Sequence, residues 1–87
     1  MSEETLLTFP CEFPIKIMGR AGENFEADVV AIVRKHAPDL TETAISSRPS
    51  GKGNYIAVTV NVNATSKEQL DTIYLELNAH ESVVMTL

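Results

Sequence analysis

The sequence predicts one α+β domain of the ferredoxin-like type, a split βαβ sandwich with two helices on one face of a four-stranded antiparallel sheet. Three observations carry this expectation. Apolar and polar residues alternate over Tyr55–Asn63 as in a half-buried strand, a helix-capping pattern follows at Thr65, and the first half of the chain reads as strand, helix, strand. The chain has 87 residues, enough for one such unit and too few for two.

The first strand is expected over Glu12–Met18, where Phe13, Ile15 and Ile17 alternate with Pro14, Lys16 and Met18. Residues 1–8 precede it as a tail, leaving residues 9–87 as the domain. The glycines of Gly19-Arg20-Ala21-Gly22 break the strand, and Phe25, Val29, Ile32, Val33 and His36 then recur at helical spacing, predicting a helix over Glu23–His36. Pro38 ends it, because proline biases Ala37 away from helical angles and donates no hydrogen bond.

A second strand is expected over Glu42–Arg48, with Pro49 suiting a sheet edge. Ser50-Gly51-Lys52-Gly53-Asn54 reads as a hairpin loop into the third strand, which directs Ile56, Val58, Val60 and Val62 inward and Tyr55, Ala57, Thr59, Asn61 and Asn63 outward. In Thr65-Ser66-Lys67-Glu68 the pattern predicts Thr65 as the cap, returned by Glu68. Leu70, Ile73, Tyr74 and Leu77 form the apolar stripe of the second helix, and Val83–Leu87 is short and β-branched, a last strand. Right-handed crossovers then give the spatial strand order 4-1-3-2 and leave one sheet face without helices.

Hydrophobic residues make up 44% of the chain and charged residues 22%, the balance of a globular protein. The formal net charge of -5 opposes a nucleic-acid partner, since such binding works by Lys and Arg displacing counterions from phosphates. The outward face of the third strand also carries one aromatic, Tyr55, where an RNA-recognition sheet stacks bases on several. With Cys11 as the only cysteine there is no internal disulfide, and the N-terminal run Met1-Ser2-Glu3-Glu4-Thr5 is acidic rather than signal-like. No apolar run approaches the roughly 20 residues of a membrane span. The cytoplasm is the expected compartment.

No motif commits the chain to catalysis. Cys11, His36 and His80 are isolated in sequence, without metal-ligand spacing, and no cofactor is expected. The two histidines fall near helix C-termini, where a cation meets the helix dipole favourably, and Cys11 reads as a small apolar filler. Arg20 occupies the position from which acylphosphatases grip phosphate, but Glu23 then brings a carboxylate to the anion site. Two weaker site candidates remain. Gly19, Arg20 and Gly22 offer a loop where a small carboxylate could approach backbone amides, and Arg48, Lys52 and Tyr55 offer a surface for a protein partner.

From Phe9 to Leu87 the chain resembles the YbeD-like family of small bacterial proteins. The resemblance rests on Phe9-Pro10, Ile17-Met18-Gly19, Arg34-Lys35-His36-Ala37-Pro38, Asn63-Ala64-Thr65 and, most specifically, Pro49-Ser50-Gly51-Lys52-Gly53-Asn54-Tyr55. It implies a βαββαβ sandwich similar to ACT domains, regulatory modules that bind amino acids at the loop after the first strand, often at a dimer interface. Met18-Gly19-Arg20-Ala21-Gly22 occupies that position here. The family also carries a lipoate-regulatory label, which no residue of this sequence specifies. The expectation is thus a non-enzymatic regulatory or protein-interaction module, homodimeric or with another protein partner. The alternative is an ACT-type carboxylate sensor with its pocket at the loop.

Overall fold

A computed structural model of the chain describes residues 8–22, 24–49 and 51–87. Strands β1 (Cys11–Arg20), β2 (Ile45–Pro49), β3 (Tyr55–Ala64) and β4 (Val83–Thr86) alternate with helices α1 (Phe25–His36) and α2 (Lys67–Ala79), and a 3-10 turn, Glu42–Ala44, precedes β2. The sheet runs β2-β3-β1-β4, every neighbouring pair antiparallel, which is the expected 4-1-3-2 order read from its other edge.

Alternation places the core. Ile15 and Ile17 of β1 stand opposite Val60 and Val58 of β3, and all four side chains are fully buried beside Val62. The α1 stripe (Phe25, Val29 and Val33) and the α2 stripe (Leu70, Ile73 and Leu77) close over them, and Tyr74 packs half-buried at the margin. Each of the buried Val, Ile, Leu and Phe side chains contributes about 1.5 to 3 kcal/mol by leaving water, so this layer holds the domain together.

Several boundaries differ from the sequence expectation, each for a reason of pairing. β1 continues past Met18 through Arg20 because β3 is long enough to offer a partner to each residue, Gly19 facing Ile56 and Arg20 facing Tyr55. α1 starts at Phe25, where the amide of Asp28 reaches the carbonyl of Asn24 at 2.8 Å. The first three residues of the expected second strand form the 3-10 turn instead, and Pro49 sits at the end of an edge strand that pairs only with β3. In the hairpin, Gly53 takes φ 77°, the left-handed conformation its lack of Cβ permits.

The cap of α2 lies one residue beyond the expected one. Ser66, extended at φ -161° and ψ 160°, accepts from the amide of Gln69 at 3.1 Å. Gln69 Oε1 accepts in turn from the Thr65 amide at 2.7 Å and from the Thr65 hydroxyl at 3.2 Å. Gln69 wins over Glu68 because its amide also donates, to the carbonyl of His36 at the end of α1, at 2.8 Å. A carboxylate has no such donor.

Candidate functional site

Both helices lie on one sheet face and no described element covers the other, whose composition follows from the strand parity. β3 presents Tyr55, Ala57, Thr59, Asn61 and Asn63, which stand opposite Arg20, Met18, Lys16, Pro14 and Glu12 of β1. β2 adds Arg48 beside Ala57 and Ser46 beside Thr59, and β4 adds Met85 beside Met18. Leu87 exchanges two backbone hydrogen bonds with Lys16, at 2.8 and 3.2 Å, which extends the last pairing by a residue.

At its centre the face forms a shallow concavity of about 330 Å³, lined by Lys16, Met18, Arg48, Pro49, Tyr55 and Ala57 with Ile56 beneath. A second hollow of about 250 Å³ adjoins it, where Lys16 and Arg48 stand near the hydroxyls of Ser46 and Thr59. Apolar floor, flanking cations and hydroxyl donors suit an anionic group attached to an apolar body.

Charge is segregated between the two faces. The ion pairs Lys35–Glu76 (2.8 Å) and Lys67–Asp71 (3.0 Å) and the histidine–carboxylate hydrogen bonds His36–Glu76 (2.8 Å) and His80–Asp28 (3.0 Å) all lie in the helix layer. The Lys35 hydrogen bond, then that of His36, holds the Glu76 carboxyl below the ordinary carboxylate range. Among the described residues no ion pair engages Lys16, Arg20, Arg48 or Lys52. The acids nearest the open face, Glu12 and Asp39, gather at its opposite end, where Asn63 donates to Asp39 at 3.3 Å.

At the expected loop site the space beside Gly19 is filled. Gly19 is buried within β1 rather than free in a loop, and a Cβ there would run into the ring of Phe25 and the carbonyl of Ser82. Phe25 is fixed by an edge-on contact with the His80 ring, centroids 6.1 Å apart. Ser82 is fixed by its amide, which donates to His80 Nδ1 at 3.1 Å, so the His80 proton sits on Nε2 and points at Asp28. Arg20 belongs to the strand, its amide donating to Ser82 O at 2.9 Å, and Gly22 lies exposed, with open space where a Cβ would stand. These three residues do not converge.

Arg48 and Tyr55 do converge, on the central concavity, while Lys52 stands exposed in the hairpin loop. Lys16 and Met18 complete the site from β1. Their parity along that strand is the signal that marks them, opposite to buried Ile15 and Ile17. Met85 and Leu87 carry no comparable signal, because so short a strand sets no register of its own. His36 and His80 do end their helices, and each binds a carboxylate of the other helix.

A larger hollow, about 590 Å³ beside α1, is a poorer site. Two of its polar groups are already used within the fold: Glu26 accepts from Ser47 at 3.0 Å and Arg34 donates to the Leu40 carbonyl at 3.3 Å.

Residues 4–87 match a protein family described as a protein of unknown function, DUF493, so the match reaches into the acidic stretch expected to lie outside it. The chain is similar to the UPF0250 protein NE1487 of Nitrosomonas europaea, 44% identical over 87 residues and covering 100% of both. Among solved structures it is similar to the solution structure of protein HP0495 of Helicobacter pylori, with TM-score 0.71 and 11% identity, covering 93% of this chain and 85% of that one. It is also similar to the ACT domain from the GTP pyrophosphokinase of Chlorobium tepidum, with TM-score 0.67 and 14% identity, covering 87% and 84%. These structural likenesses carry the fold, ACT-like and ferredoxin-like, and nothing further.

Proposed function

The chain belongs to the DUF493 family, the YbeD-like proteins, and we propose that it is a non-enzymatic regulatory module of the bacterial cytoplasm that holds another protein on its open sheet face. One observation carries this reading. The helix-free face gathers an apolar centre and cations that pair with no described residue, while Lys35 and Lys67 of the helix layer pair with Glu76 and Asp71. An apolar middle with a polar rim is the anatomy of a docking surface. No helix among the described residues is long and apolar enough to cross a membrane.

The test is affinity capture from bacterial lysate followed by mass spectrometry, with wild type and Ala57→Trp as parallel baits. Ala57 points outward from the centre of the face, so the indole blocks any occupant whatever its charge. Proteins retained by wild type and lost by a folded Ala57→Trp are the expected result. An identical set on both baits refutes the reading.

A carboxylate sensor is the second reading, favoured by the cations and hydroxyls of Lys16, Arg48, Ser46 and Thr59 around one hollow. Its site then lies on the sheet face, since Phe25 and Ser82 fill the space beside Gly19. A ligand at about 100 times its Kd stabilises the fold by roughly 2.7 kcal/mol. A panel of amino acids, lipoic acid and related carboxylates that leaves the Tm unmoved removes this reading.

A further inference from the structure

We infer that the occupant of the open face is an acidic protein segment that presents, on one face of an extended chain, carboxylates about four residues apart with an apolar residue midway between them. The inference rests on the docking reading above and names the chemistry of the partner.

Lys16, Arg20, Arg48 and Lys52 are four of the 7 Lys and Arg residues, in a chain of net charge -5. Three of them stand on the open face and Lys52 in the hairpin beside it, whereas Arg34, Lys35 and Lys67 are engaged in the helix layer. The register gives their spacing. Arg48 lies two strands across and two residues along from Lys16, roughly 11 Å away, and Arg20 lies four residues along β1, roughly 13 Å away. Met18 and Ala57 fill the space between them, with Tyr55 at the end of the row.

That spacing excludes a single small anion as the partner of all three cations. It matches carboxylates about four residues apart on an extended segment, whose intervening apolar side chains cover Met18, Ala57 and Tyr55. Stacking the open faces of two copies about the central concavity would set Lys16 and Arg48 on the same residues of the second copy, and like charges oppose such a pairing. A nucleic acid meets a single aromatic, Tyr55, and the acids Glu12 and Asp39 at the end of the face.

The experiment is fluorescence anisotropy on the full chain with labelled 12-residue peptides. One repeats Glu-Ser-Leu-Ser, which sets Glu four residues apart and Leu between them on one face of an extended chain, one replaces each Glu by Gln, and a 12-nucleotide oligouridylate is the third probe. The acidic peptide is expected to bind, more weakly as salt rises, and Lys16→Gln and Arg48→Gln are each expected to weaken it roughly tenfold. Lys67→Gln, in the helix layer, is expected to leave it unchanged. Equal binding of the Gln peptide, insensitivity to Lys16→Gln and Arg48→Gln, or tighter binding of the oligouridylate overturns the inference. So does a dimer in sedimentation that Arg48→Gln dissociates, since the occupant is then a second copy. If Ala57→Trp strips partners in the capture experiment while the acidic peptide stays unbound, the docking reading stands and the acidic occupant falls. If Ala57→Trp strips nothing, both fall.

Discussion

The side-chain amide of Gln69 donates to the carbonyl of His36 at 2.8 Å, so one residue in the first turn of α2 closes the last turn of α1. The same amide accepts from the Thr65 backbone at 2.7 Å. Gln69→Ala therefore leaves groups at two helix ends without partners and is expected to cost about 1 to 3 kcal/mol in urea unfolding. Gln69→Glu keeps the acceptor but sets a negative charge against the negative end of α1, so it is expected to destabilise as well. Wild-type stability in both variants would show that the bridge contributes nothing.

Ser66 and Thr65 separate the observed cap from the expected one. Ser66→Ala removes the acceptor for the Gln69 amide and is expected to cost roughly 0.5 to 2 kcal/mol. Thr65→Ala loses only an exposed hydroxyl that donates to Gln69 Oε1, so its effect is expected to be the smaller. The reverse ranking in thermal melts would return the cap to Thr65.

The two glycines flanking Arg20 and Ala21 should respond oppositely to alanine. At Gly19 the new methyl meets the Phe25 ring and the Ser82 carbonyl, and overpacking of this kind costs about 1 to 3 kcal/mol. At Gly22 no atom is near and φ is not positive, so alanine is expected to be neutral or to stabilise by about 0.4 to 1 kcal/mol through the unfolded chain. Equal melting of the two variants would mean that β1 does not pass under Phe25 as described.

Glu76 gives a pH dependence of definite sign. Its carboxyl is held below the ordinary range by Lys35 and then His36, so its contribution to stability is present above the unfolded carboxylate pKa and is lost as pH falls through the lowered folded value. The Tm gap between wild type and Glu76→Gln is expected to be widest near neutral pH, to close in acid and to narrow with salt. A gap that widens in acid contradicts the pairing.

Local signals made much of the fold legible. Alternation in Ile56–Val62 and Ile15–Ile17 sets which side chains face inward, whatever else the chain does, because the period of a strand is two. Glycines in the 51–53 turn and the stripe of Leu70, Ile73 and Leu77 are equally local, and with handed crossovers they leave one strand order and one bare face. Arg48 and Tyr55, read as partner-facing from the hairpin, stand on that face for the same reason.

Tertiary structure alone decided the rest. Gly19 reads in sequence as a flexible loop residue open to a ligand, and only the approach of Phe25 and Ser82 makes it a packed strand position. Thr65 and Ser66 both suit a cap, and the choice falls to Ser66 because Gln69 has His36 within reach, a contact between residues 33 apart. The charge of the open face is likewise absent from any local window. Lys16 and Arg48 share one hollow only because β3 lies between β1 and β2, and in a chain of net charge -5 that juxtaposition, not the composition, puts together cations that pair with no described residue.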